Sequence, residues 1–143
     1  MAGSPLWRFR AAQDAGDSYE HALAELRAGR KQSHWMWFVF PQLEGLGRSD
    51  TARRYAIHSL EEAREYLADA VLGARLRESA AALLEHEDAS AEEMLGSIDA
   101  LKLRSSMTLF ELAAGREPLF ARVLERFYGG VRDDATLRLL GLA

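Results

Sequence analysis

The chain has 143 residues, of which 48% are hydrophobic and 28% charged, with three prolines and no cysteine. This length and balance suit one globular domain that buries about 70% of its unfolded surface without a covalent or metal staple, and they exclude wholesale disorder. The missing thiols exclude disulfides, thiolate metal sites and a cysteine nucleophile, and a net charge of −4 with dispersed basic residues excludes a general nucleic-acid binder.

In chain order, residues 1–5 are expected to be disordered, and Leu6 to Gln13 is expected to form a short helix with Leu6 and Phe9 on one side. Asp17, with Glu20 three residues on, reads as a capping box opening a helix to Ala28, stopped by Gly29. Residues 34–40 form an apolar, aromatic run that periodicity alone assigns to neither strand nor helix. Its helical surroundings favour helix, with Ser33 as cap, while Pro41 disfavours helical geometry at Phe40. Glu44 to Gly47 is a loop, and Ser49 or Asp50 starts a short helix through Tyr55. Ser59-Leu-Glu-Glu62 opens a helix to Ala68. Asp69 caps the next, from Ala70 to His86, with Leu72, Leu76, Ala80 and Leu83 on one face.

Ser90-Ala-Glu-Glu93 repeats the capping-box pattern for a short helix ending at Gly96. Ser97 or Asp99 starts a longer helix to Ala114. Glu117-Pro118 opens another, which stops at Gly129-Gly130, and Asp133 or Asp134 caps a last turn through Leu140. The expected fold is all-α: a compact single domain of seven or more short helices, not a long four-helix bundle, because most segments are too short. The first ten residues lack the apolar core of a signal peptide. The longest apolar run, Trp35 to Pro41, is far below the ~20 residues that span a bilayer. A cytoplasmic protein without a membrane partner is the expectation.

Two segments carry candidate chemistry. The first is Lys31-Gln-Ser-His-Trp-Met-Trp-Phe-Val-Phe-Pro-Gln42. Its closely spaced tryptophans are costly to leave in water and belong in core, interface or pocket wall. As a site, Trp35 or Trp37 stacks a planar ligand while Lys31, Ser33, His34 and Gln42 handle its polar part. As structure, the same segment is core, Ser33 is a cap and His34 is hydrogen-bonded.

The second segment is the helix through Lys102, Ser105 and Ser106. Arg104 and Glu111 fall on one side of a helical wheel and mark the expected solvent face. Lys102 and Ser106 then lie i, i+4 on the inward face, with Ser105 beside them. An inward lysine is either paired, snorkelling to solvent or reaching a polar cavity. A Lys–Ser–Ser cluster suits a phosphate or carboxylate, and a Ser–Lys catalytic pair needs a contact that the sequence does not supply. The residues therefore do not decide whether the protein is an enzyme, and they name no catalytic residue. His21, His34, His58 and His86 have no helical metal spacing, so neither metal nor cofactor is expected. Gly45-Leu-Gly47-Arg48 is a glycine-bearing turn and not a dinucleotide fingerprint.

The strings Ser33-His-Trp-Met-Trp-Phe38 and Lys102-Leu-Arg-Ser-Ser-Met-Thr-Leu-Phe110 carry a family resemblance. So do Gly45-Leu-Gly-Arg-Ser49, Glu62-Ala-Arg-Glu-Tyr-Leu67, Phe127-Tyr-Gly-Gly130 and Thr136-Leu-Arg-Leu-Leu140. From about Phe9 to Leu140 the chain resembles the bacterial domain of unknown function 1810 family, sometimes labelled calpastatin-like. The resemblance implies a mainly helical domain and supplies no activity and no catalytic residues. The stretch Ala12 to Tyr19 departs from the shorter, proline-bearing turn of relatives. The calpastatin label implies a disordered inhibitor, which an ordered, tryptophan-bearing composition contradicts.

Two functions follow as expectations. One is a pocket between the 31–42 segment and the 99–112 helix for a small anionic, aromatic ligand such as a nucleotide or an ADP-ribose derivative. The other is a non-enzymatic interaction module or homo-oligomer that uses Trp35, Trp37 and Phe38. Oligomeric state is left open.

Overall fold

Among the described residues, four of the ten α-helices start at a hydroxyl or carboxylate cap. The computed structural model describes residues 6–142; the expectation for residues 1–5 lies outside them. The α-helices are α1 (Trp7–Asp14), α2 (Ser18–Ala28), α3 (Met36–Val39), α4 (Asp50–Arg54) and α5 (Leu60–Ala68). They continue with α6 (Leu72–Leu84), α7 (Ala91–Leu95), α8 (Ser97–Ala114), α9 (Leu119–Tyr128) and α10 (Asp134–Leu139). The fold is all-α: among the described residues there is no strand, and Leu43 and Ile57 form one isolated bridge. The longest helix, α8, has 18 residues, so no long four-helix bundle exists.

The expected caps form at Ser49, Ser59, Ser90 and Asp133, each accepting from a backbone N–H of the first turn. The helix expected from Ala70 starts instead at Leu72, after Val71 and without a side-chain cap; Asp69 accepts from the Val71 and Leu72 N–H groups in the turn before it. Ser90 and Glu93 close a full capping box. At Ser59 the box is half made: Glu62 turns its carboxylate to the His58 N–H, 3.0 Å away, and also meets Arg8. The capping box expected at Asp17 does not form. Gly16 and Asp17 both take left-handed geometry, at φ 57°, in a 3-10 turn over Ala15–Asp17, and Asp17 makes no cap bond. The left-handed backbone carries the Asp17 side chain away from the first turn of α2.

The core is aromatic at its centre. Phe9, Trp35, Phe40, Tyr66, Phe110 and Phe120 are all fully buried. Phe9 meets Tyr66 edge-on at 5.2 Å between ring centroids, Tyr66 meets Phe110 at 5.4 Å, and Phe110 meets Phe120 at 6.0 Å. Each such pair adds about 1 kcal/mol beyond area burial. The helix α8 packs against α5, α7, α9 and α10, while α6 bridges α2, α5 and α9. The expected inner face of α6 is correct: Leu72, Leu76, Ala80 and Leu83 are buried.

The expected solvent face of α8 is not. Arg104 and Glu111 are not its outermost residues; Leu101 is 60% exposed, and every residue from Leu103 to Phe110 except Arg104 is buried. Glu111 is covered by Arg132, at 2.6 Å, and Arg104 faces Asp133 at 4.0 Å. Chain ends that fold back from beyond α9 supply counter-charges, so charge does not mark water here. No helix of the described residues is long and apolar enough to cross a membrane.

Candidate functional site

The 31–42 segment is pinned to α2 by one carboxylate. Glu25 accepts from the N–H groups of Gln32 (2.7 Å) and Ser33 (2.9 Å), the Ser33 hydroxyl and the Trp35 indole N–H (2.9 Å). Burial pushes the Glu25 carboxyl up, and these four hydrogen bonds outweigh it, holding its pKa at about 2. Ser33 therefore does not cap a helix; α3 starts at Met36, after Trp35, with no side-chain cap. Trp35, 1% exposed, is core. His34 is exposed, and among the described residues it makes no hydrogen bond or ion pair.

The next ring, Trp37, points the other way. Phe40 leaves the helix at φ −124° and ψ 75°, as the following proline requires. The chain then returns past Trp37 through Gln42, Leu46 and Gly47. A Cβ on Gly47 would sit 2.6 Å from the Ala52 Cβ, so the loop packs against α4 there only because this residue is glycine, while the Trp37 ring, 3.7 Å from that position, is in ordinary contact.

Opposite lies the first half of α8. Ile98, Leu101, Lys102 and Ser105 fall at i, i+3, i+4 and i+7, one helical face. With Trp37, Gln42, Leu46 and Gly47, and with Asp133 and Ala135 from the start of α10, they line a solvent-open cleft of about 290 Å³. The Lys102 ammonium stands 3.8 Å from the centroid of the Trp37 ring, a cation–π contact, and 3.5 Å from Asp99 Oδ1. Asp99 Oδ2 lies 2.9 Å from the Lys31 ammonium. Two lysines thus share one carboxylate, and Asp133 places a second carboxylate in the wall, so the charged side chains that line the cavity, Lys102 and Asp133, carry no net charge. Asp133 is already engaged: its Oδ2 accepts from Ser105 Oγ (3.0 Å), Thr136 N (3.1 Å) and Thr136 Oγ1 (2.6 Å).

The structure therefore brings Trp37, Gln42, Lys102 and Ser105 to one cavity, with Lys31 joined to them through Asp99. Ser33 and Trp35 gather at Glu25, and His34 lines neither place. Ser106 is fully buried, its hydroxyl has no hydrogen-bond partner, and it does not line the cavity. No Lys–Ser hydrogen bond forms among the described residues. Asp99 and Asp133 entered the sequence reading as helix-start acids alone, and Gly47 as a turn. The pairings of Asp133 with Ser105 and of Asp99 with Lys31 span 28 and 68 residues, which local pattern does not carry. Among the described residues, no group of three or more histidine or acidic side chains is arranged to hold a metal ion.

Comparison with known proteins gives a fold and a family. The crystal structure of the conserved hypothetical protein Rv1873 from Mycobacterium tuberculosis is similar over 96% of this chain and 97% of that one, with 48% sequence identity and a TM-score of 0.92. No curated protein matches the chain. The family described as "Protein of unknown function (DUF1810)" matches residues 4–140. The chain belongs to the DUF1810 family.

Proposed function

We propose that the protein binds a small, planar, anionic ligand in the cavity between the 31–42 segment and α8. The observation that carries this reading is the Lys102 ammonium, held over the Trp37 ring in an open cleft of about 290 Å³. An aromatic wall with a few convergent polar groups is what a small-molecule site needs, and Lys102 supplies a cation for an anionic group. The volume suits an aromatic anion of about mononucleotide size, and a larger ligand would extend through the open mouth. Lys102 meets the anion, and Leu46 and Leu101 flank the ring.

A thermal-shift screen of aromatic carboxylates and mononucleotides on the wild type and on Lys102→Met tests this. A binder at a hundredfold excess over its Kd stabilises by about 2.7 kcal/mol. The gain is expected to vanish in the variant; equal gains in both proteins reject the assignment of Lys102.

A second reading, an interaction surface or homo-oligomer seam, draws on Ile98 and Leu101, 70% and 60% exposed beside the cavity mouth. Trp35 takes no part in it, being core, and Phe38 packs on Tyr55 at 5.5 Å. Concentration-dependent sedimentation that Leu101→Glu abolishes would favour this reading over the first.

A further inference from the structure

The chain contains two lysines and sixteen arginines, and both lysines meet at Asp99. They meet it differently. Lys31 is the fixed partner and makes the closer ion pair, 2.9 Å from Asp99 Oδ2. Its backbone N–H donates to the Met94 carbonyl at 2.8 Å, and its ammonium lies 5.2 Å from the centroid of the buried Trp35 ring. Lys102 is the looser partner. It stands 3.5 Å from Asp99 Oδ1 and belongs to the cleft wall, which neither Lys31 nor Asp99 lines. The other carboxylate of that wall, Asp133, is taken up by Ser105 and Thr136, and among the described residues it makes no ion pair with Lys102. A carboxylate between two ammonium groups divides its field between them, so the hold of Asp99 on Lys102 depends on Lys31. All three side chains are partly buried, where salt screens charge less than at the surface.

We infer that Lys31 sets the affinity of the cleft for aromatic carboxylates without touching them: it holds Asp99, and so leaves the Lys102 ammonium to the ligand. This rests on the reading above. Without Lys31, Asp99 turns wholly to Lys102 as an internal counter-ion, and an incoming carboxylate meets a neutralised pair. Without the Asp99 charge, Lys102 has no competitor beside it, and Lys31 has nothing to hold. Lys31 is thus a positioning residue, and Asp99 is the group it acts through.

The test is a double-mutant cycle, read by calorimetric titration with naphthalene-2-carboxylate in low-salt buffer. Lys31→Met is expected to weaken binding about tenfold, ~1.4 kcal/mol. Asp99→Asn is expected to bind the probe several-fold more tightly than the wild type. Adding Lys31→Met to Asp99→Asn should then cost less than about threefold, because the group Lys31 acts through is gone. A direct pull of Lys31 on the ligand gives a different pattern, the same loss with and without the Asp99 charge, and that result overturns the inference. Should Lys31→Met not fold, Asp99→Asn alone still decides: unchanged or weaker binding overturns the inference. Binding that Lys102→Met abolishes, with no coupling between Lys31 and Asp99, leaves the site standing and overturns the role of Lys31. No binding to the wild type overturns the site and this inference together.

Discussion

The carboxylate of Glu25 gathers the N–H groups of Gln32 and Ser33, the Ser33 hydroxyl and the Trp35 indole, and so sets where the aromatic segment begins. Glu25→Gln keeps the size and removes the charge these donors share. It is expected to cost about 2 kcal/mol in urea denaturation. The pH dependence has a definite sign. The folded pKa is depressed from 4.5 to about 2, so the contribution is complete above pH 4.5 and is lost as pH falls towards 2. Wild-type stability should drop across that window, and Glu25→Gln should drop less. Caps offer a second contrast at this scale. Ser90→Ala, which opens a formed capping box, should cost about 1 kcal/mol. Asp17→Gly should be neutral or stabilise by up to about 1 kcal/mol, because Asp17 holds φ 57° and caps nothing. Ser90 was legible in the sequence because its partner lies three residues away. Glu25 was not, because its partners lie seven to ten residues on, across a loop whose path no local pattern specifies.

At the scale of elements, the helices were legible wherever a polar cap preceded an apolar period, as in α5 and α7. The α6 stripe was read correctly because its four apolar residues recur at helical spacing and all four are buried. The α8 wheel failed for the opposite reason: neighbours lie on nearly every side, and the tail brings Arg132 and Asp133 to the residues that looked outermost. The approach of α5 to α6 rests on Gly73. A Cβ there would sit 2.2 Å from the Leu67 carbonyl oxygen, which is backbone and cannot rotate away. Gly73→Ala should therefore force the two helices apart and destabilise by about 3 kcal/mol, read by urea or thermal unfolding. An alanine tolerated without cost would show that this contact is slack.

Over the whole molecule, the pairing of the 31–42 segment with α8 was an expectation from residue types, and the fold sets Trp37, Gln42, Lys102 and Ser105 around one cavity. Which tryptophan faces that cavity was not legible. Trp35 and Trp37 are two residues apart in a run with no clear period, and the turn at Phe40 and the approach of Gly47 decide between them. The central claim is that an aromatic anion enters beside Trp37 and Lys102. Nitrogen-resolved NMR reads it most directly, because the indole N–H signals of Trp7, Trp35 and Trp37 and the Gln42 side-chain amide are separate probes. Titration with the tightest aromatic anion from the thermal-shift screen is expected to move the Trp37 and Gln42 signals and leave that of Trp7 in place, and in Lys102→Met to move none of them. If aromatic carboxylates and mononucleotides at saturating concentration leave Trp37 and Gln42 unmoved, or move them equally in Lys102→Met, the proposed site is contradicted.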